Sequence, residues 1–133
     1  MLDPENYIFT VLAETLRGTF SGIAVYGEEV PAPPIFPCVT CVESDNTIEA
    51  DTLTGDGKEH FIRVMFSVNV YSNLQTGGKQ QCKDIMSVVD QTMMGIGLRR
   101  TMNQPLDNLQ HTISRRVARY EGRVGEDGLV YRR

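Results

Sequence analysis

The most regular hydrophobic pattern in the chain lies between residues 61 and 71, where positions alternate with a period of two. Such alternation predicts a β-strand, because successive side chains of a strand point to opposite faces of a sheet. One face carries only apolar side chains, namely Ile62, Val64, Phe66, Val68 and Val70. The other face carries Phe61, Arg63, Met65, Ser67, Asn69 and Tyr71. The first face is predicted to line the core, whereas the second is too polar for a core and too apolar for a fully solvated face.

Two other segments repeat their apolar residues with the period of an α-helix. The first follows Asp3 and Pro4, a favourable cap and a favourable first helical residue, and ends near Gly18. The second opens at residues 76–78 and weakens towards Gly95 and Gly97. Its core-facing stripe consists of Cys82, Ile85, Met86, Val89, Met93 and Ile96. Each helix is amphipathic and is therefore predicted to cover one face of a sheet.

The remaining strands are shorter and are marked by the turns between them. "GIAVYG" (22–27) and "FPCVTCVES" (36–44) flank a segment with four prolines between residues 31 and 37, which forbids regular pairing. Residues 112–121 and a short strand from 129 are joined through "GEDG", which predicts a C-terminal hairpin. The sequence therefore predicts a single α+β domain over residues 1–133, with an antiparallel sheet of three to four strands, two helices on one face and a long polar loop.

That long loop spans residues 44–59 and is polar, acidic and glycine-containing. Its spacing fits neither a phosphate-binding loop nor a calcium loop. We interpret it as an assembly loop that is mobile until it meets a partner, the alternative being a merely solvated connector. The residues assigned to this role are Asp45, Glu49, Asp51, Asp56 and Gly57.

Composition and charge narrow the class of protein. A chain of 133 residues with 41% hydrophobic residues has the size of one domain with an ordinary core. No apolar stretch is long enough to span a bilayer and no targeting segment is visible, so we expect no membrane contact and an intracellular, soluble protein. The net charge of −4 is unevenly distributed: residues 1–98 contain 5 basic and 13 acidic side chains, whereas residues 99–133 contain 8 and 4. A basic C-terminal third suits an acidic face on a neighbouring subunit, while the absence of a nucleic-acid motif argues against sequence-specific DNA or RNA binding.

No set of residues in the sequence supports catalysis, a metal site or a cofactor. Cys38 and Cys41 have a metal-like spacing, but side chains three apart in a strand point to opposite faces. Cys82, His60 and His111 are scattered, so the three cysteines are interpreted as reduced, buried small side chains. No nucleophile lies beside a recognisable base, and an enzyme would have to be built from residues distant in sequence. We therefore expect a protein that is not an enzyme and binds no cofactor.

Arginines are concentrated near the C-terminus and occur on both faces of a predicted strand. Arg115 and Arg119 alternate with Arg116, so they point to opposite sides. One interpretation is a solvated edge strand, protected by its arginines against edge-to-edge aggregation. The other is an interface with a partner protein, since Arg and Tyr are enriched in protein contacts. The candidate interface residues are Arg63, Asn69, Tyr71, Arg115, Arg116, Arg119 and Arg123.

The order of these elements resembles a known family. The chain runs from an N-terminal helix through a short strand, a proline loop, a strand and a long loop to "FIRVMFSVNVYSN", a helix and the closing "RRVARYEGRVGEDGLVYRR". In this order, and above all between Arg116 and Tyr131, it resembles the tail-terminator or tail-completion proteins of tailed bacteriophages and prophages, which include tail-to-head joining proteins. The resemblance covers nearly the whole chain.

The resemblance implies a structural protein of the virion tail, assembled in the host cytoplasm. The implied form is a ring, usually of six subunits, that ends polymerisation of the tail tube and joins the tail to the neck. The implied partners are further copies of the chain, the tail tube protein and a neck or head-completion protein. In this interpretation the second face of strand 61–71 contacts a partner, although residues 122–133 of the same chain are an alternative cover. The alternative function is that of a small cytoplasmic binding domain, whose sheet face takes a ligand or nucleic acid.

Overall fold

The computed structural model describes residues 4–28, 35–48, 61–106, 113–125 and 130–131. They form two helices, α1 (Glu5–Thr19) and α2 (Gly78–Ile96), and six strands, β1 (Ala24–Tyr26), β2 (Cys38–Ile48), β3 (Phe61–Ser72), β4 (Arg99–Leu106), β5 (Ser114–Gly125) and β6 (Val130–Tyr131). The fold is α+β, as predicted, with both predicted helices and the predicted strand over residues 61–71 in place. The C-terminal hairpin is also confirmed, because β6 pairs antiparallel with the end of β5.

The sheet has the order β1-β2-β3-β5-β4, and β6 pairs with β5 away from this path. Pairing is antiparallel except between β1 and β2, which are parallel. The prediction of an antiparallel sheet of three to four strands is therefore wrong in detail. The prolines between β1 and β2 exclude a tight hairpin, and the register pairs Ala24 with Cys38 and Tyr26 with Thr40 in the same direction.

The core lies between the two helices and one face of the sheet. The predicted core face of β3 is completely buried, with 0% exposure for Ile62, Val64, Phe66, Val68 and Val70. Each helix contributes an apolar stripe, with Ile8, Leu12, Ala13 and Leu16 from α1 and Cys82, Ile85, Met86, Val89 and Met93 from α2. The predicted stripe of α2 is confirmed except at Ile96, which is only partly buried. Burying each large apolar side chain stabilises the fold by about 1.5–3 kcal/mol, so replacing Phe66 by Ala is expected to cost roughly 3–5 kcal/mol.

The end of α2 is set by its glycines. Gly97 adopts a left-handed conformation with φ of 117°, and its N–H donates to the carbonyls of Met93 and Met94. This is the usual way for a helix to satisfy its last carbonyl groups, and glycine adopts the conformation without strain. The chain then turns directly into β4, so Arg99 and Arg100 begin a strand rather than extend the helix.

The polar segment after Glu43 begins later than the sequence predicted. β2 continues through Asp45 to Ile48 and pairs with β3, with a register shift between Glu43 and Asp45. The assignment of Asp45 to a loop is therefore wrong, because β3 supplies the backbone partners that hold even these polar residues in a strand. The other residues of the predicted assembly loop, Glu49, Asp51, Asp56 and Gly57, lie outside the described residues.

β5 is an internal strand, with β3 on one edge and β4 and β6 on the other. The interpretation of residues 112–121 as a solvated edge strand is therefore wrong. The edge is occupied by β4, which the sequence analysis did not predict. β4 is exposed or half-buried along its whole length and contains Pro105, a residue that edge strands tolerate because their outer N–H groups need no partner in the sheet.

Candidate assembly interface

The face of the sheet opposite the helices carries most of the predicted interface residues. We call this the outer face and define it by the side chains of β3 and β5 that point away from α1 and α2. Directly paired residues of antiparallel strands point to the same face. The register pairs Arg63 with Arg123, Ser67 with Arg119, Asn69 with Val117, and Tyr71 with Arg115. Six of the seven predicted interface residues thus share this face, and only Arg116 lies on the other.

At one end of the outer face, Arg115 is held by its neighbours on β3. Its Nε and Nη2 atoms both donate to Asn69 Oδ1, at 3.1 and 2.9 Å. Its guanidinium carbon lies 5.3 Å from the centre of the Tyr71 ring, within the range of a cation–π contact. Asn69 and Tyr71 are only 4% and 7% exposed, so the single chain already covers them. Asn69 and Tyr71 therefore hold the Arg115 side chain in position. Whether they also contact a partner remains a prediction.

The other end of the outer face is more accessible. Arg63 is exposed and lies directly opposite Arg123, and Arg119 is exposed opposite Ser67. Arg63 and Arg119 are exposed cations, so an acidic surface docked on this end would be favoured. Arg99 of β4 forms an ion pair with Glu121 of β5 on the same face. Because the Arg99 side chain is 66% exposed, this pair contributes at most about 1 kcal/mol.

Arg116 lies on the helix side of the sheet. Its Nε donates to Asn103 Oδ1 at 2.7 Å, and both side chains face α2 at the β4 edge. The alternation of arginines along β5 predicted this separation of Arg116 from Arg115, but not its partner. Asn103 and Arg100, which line the same space, belong to β4 and were missed. The polar composition of residues 99–106 offers no hydrophobic alternation from which a strand could be recognised.

The three cysteines are buried free thiols. Cys38 pairs with Tyr71 on the outer face, whereas Cys41 pairs with Val68 on the core face, which confirms that the two side chains point in opposite directions. Desolvation by burial raises the pKa of Cys38 and Cys82 to about 11 and that of Cys41 to about 12. Thiols in this state stay protonated at neutral pH and are poor nucleophiles and metal ligands. His60 and His111 lie outside the described residues, and within those residues no three His, Cys, Asp or Glu side chains are grouped as a metal site.

Neither described helix combines the length and the apolar character needed to cross a bilayer. The described residues form a small α+β protein whose candidate site is a charged contact surface.

The family comparison agrees with this class. The family described as tail completion protein gp17 matches residues 7–125, and the chain belongs to this family. The resemblance seen in the sequence is thereby confirmed, and the chain is a structural component of a bacteriophage tail. No curated protein matches the chain.

Proposed function

We propose that the protein forms a ring, six-membered in the usual form of its family, on the head-proximal end of the tail tube. There it ends polymerisation of the tube and joins the tail to the neck. Its partners are further copies of itself, the tail tube protein and a neck or head-completion protein. The subunits assemble in the host cytoplasm and remain in the virion tail.

The observation that carries this proposal is the separation of charge across the sheet. α1 packs beside β1, whereas α2 lies over β3, β5 and β4. The part formed by α1, β1, β2 and Glu28 contains five acidic side chains and one basic, a net charge of −4. The part formed by α2, β4 and β5 contains eight basic and three acidic side chains, a net charge of +5. We call these the acidic side and the basic side.

Opposite charges on opposite sides of one subunit favour head-to-tail packing. When the acidic side of one copy meets the basic side of the next, the contact is heterologous and repeats with every added subunit. Such contacts close into a ring when the rotation between subunits fits. The outer face is then free for axial contact with the tube or the neck, where the exposed Arg63 and Arg119 suit an acidic partner surface.

Charge reversal at Arg119 tests the outer face in this role. Arg119 is exposed, so Arg119→Glu is expected to leave the fold intact while repelling an acidic partner surface. We expect virions made with this variant to show tails of uneven length, or tails detached from heads, by negative-stain electron microscopy. Gln75→Glu is the control, because Gln75 is also exposed but lies between β3 and α2, outside the outer face, the acidic side and the basic side. Normal tails with the Arg119 variant across a range of salt would contradict a role for this face in assembly.

A binding assay addresses the alternative of a sheet face that takes nucleic acid. If the outer face binds a generic DNA duplex, the affinity falls steeply with added salt and is lost in the Arg119→Glu variant. The proposed function predicts instead that the Arg119→Glu variant is defective in tail assembly and that the wild-type protein has no salt-sensitive affinity for the duplex.

A further inference from the structure

A polar pocket of about 230 Å³ lies between α2 and the edge of the sheet formed by β4 and β5. Its lining residues are Lys83, Met86, Ser87, Asp90, Arg100, Asn103 and Arg116. The pocket faces the helix side of the sheet, and it is therefore separate from the outer face. Its position is at the β4 edge, within the basic side of the subunit.

The pocket has an excess of positive charge, with three basic side chains and one carboxylate. That carboxylate, Asp90, is already engaged, because its Oδ1 accepts the Tyr120 hydroxyl hydrogen at 3.0 Å and lies 3.4 Å from Arg100 Nη1. The Nε of Arg116 donates to Asn103. In the described part of the chain, the ammonium group of Lys83 has neither a hydrogen bond nor an ion pair. The pocket thus keeps donors and charge that an added carboxylate would satisfy.

We propose that this α2–β4 pocket binds a carboxylate side chain from the acidic side of a second copy of the chain. The inference rests on the proposed function and adds to it the place where neighbouring subunits engage. Arg116 of β5, Arg100 of β4 and Lys83 of α2 line the pocket, so an entering Glu or Asp meets donors from three elements. A partly desolvated pocket of this kind strengthens charge-assisted hydrogen bonds relative to an open surface.

The charge distribution favours a second copy over nucleic acid as the occupant. The chain has a net charge of −4 and a pI near 5.1, so its overall field repels a polyanion. The acidic side lies at the opposite side of the same sheet, where a neighbour in a head-to-tail ring presents it. Its exposed carboxylates include Glu14 on α1 and Asp45 on β2.

The test measures self-association of the isolated protein. Sedimentation velocity over a range of protein concentrations, at low and at high salt, gives the dissociation constant between copies. Lys83→Glu is expected to raise the dissociation constant between copies at least about tenfold, since a like charge replaces an attractive one at the mouth of the pocket. Lys79→Glu is the matched control: it reverses the same charge one helical turn away, on the basic side but outside the pocket, so it measures the general charge effect and is expected to raise the dissociation constant less than about threefold.

Compensating charge reversals identify the carboxylate that enters the α2–β4 pocket. A copy that carries Glu14→Lys or Asp45→Lys in addition to Lys83→Glu is expected to recover part of the lost affinity, whereas Gln75→Lys, which adds a positive charge outside the acidic side and the basic side, is expected to recover none. The inference is overturned if Lys83→Glu weakens association no more than Lys79→Glu does. It is also overturned if neither acidic reversal compensates, or if Lys83→Glu abolishes binding to a DNA duplex and leaves self-association unchanged.

The same variants separate this inference from the proposed function. If Lys83→Glu leaves self-association and tail completion intact, the pocket is not the contact, and the proposed function stands. The proposed function itself fails if two results are obtained together. The wild-type protein does not self-associate, and a phage that lacks the protein has tails of normal length attached to heads.

Discussion

Removal of one hydroxyl group, in Tyr120→Phe, is expected to destabilise the protein measurably. Tyr120 lies on β5, is 0% exposed, and donates its hydroxyl hydrogen to Asp90 of α2 at 3.0 Å. The ring packs in the core cluster, so the change removes the hydrogen bond without opening a sizeable cavity. The hydroxyl therefore links β5 to α2, the helix that covers it.

The expected loss follows from the surroundings of Asp90. A hydrogen bond to a charged group contributes about 1.5–3 kcal/mol. The Asp90 side chain is 28% exposed and keeps Arg100 nearby, so water and this cation partly replace the lost donor. We therefore expect the free energy of unfolding to fall by about 1–2 kcal/mol, with a decrease in Tm of roughly 4–8 °C for a domain of this size.

The pH dependence supplies a second measurement on the same variant. Burial, reinforced by Asp90, raises the pKa of Tyr120 above its ordinary value. As the pH rises past about 10, the unfolded chain releases this proton first, and the wild-type protein loses stability at about 1.4 kcal/mol per pH unit from this group. The phenylalanine variant lacks the group, so the advantage of the wild type is expected to be full below about pH 10 and to shrink above it.

Urea denaturation at matched protein concentration, at pH 7.5 and at pH 10.5, measures both effects, since self-association adds stability that depends on concentration. Tyr7→Phe is the control, because Tyr7 is 52% exposed and its change is expected to be nearly neutral. A Tyr120 variant as stable as the Tyr7 variant at pH 7.5 would refute the argument that this buried hydroxyl stabilises the packing of α2 on β5.

Two further predictions concern the cysteines and the end of α2. Replacing Cys38, Cys41 and Cys82 together by Ala is expected to lower stability through lost packing without preventing assembly, and stoichiometric zinc in the purified wild type would contradict this. Because burial raises the pKa of the three thiols to about 11–12, the wild type is expected to lose stability as the pH rises from about 9 towards those values, and the triple variant to show a shallower fall in urea titrations. Gly95→Ala, with open space around the new methyl group, is expected to raise the Tm by adding about 0.5–1 kcal/mol, whereas Gly97→Ala at φ 117° is expected to lower it by about 1 kcal/mol or more.

Local patterns determined the elements whose signals lie within a few residues of one another. The alternation from Ile62 to Val70 predicted both the strand β3 and the face that the core buries. The helical stripes predicted which sides of α1 and α2 pack inward, and the "GEDG" turn predicted the C-terminal hairpin. These features depend on the periods of helix and strand and on turn chemistry, which any window of sequence contains.

Tertiary structure decided what each strand pairs with and therefore which residues share a surface. β4 is polar and exposed, and it is a strand because β5 offers it an edge. The parallel pairing of β1 with β2 and the extension of β2 through Asp45 likewise depend on backbone partners distant in sequence. Strand propensity is weak and depends on context, so a polar segment carries no sign of its partner.

The candidate surfaces were also determined partly by local sequence patterns and partly by tertiary structure. Alternation along the chain separated Arg115 from Arg116, but only the sheet register and the packing of α2 brought Arg115 to Asn69 on the outer face and Arg116 to Asn103 beside the pocket. The sequence also showed an acidic first part and a basic last part. The strand order places the acidic and the basic residues at opposite sides of one subunit. The sequence alone does not show this, because residues far apart in sequence become neighbours only through the pairing of their strands.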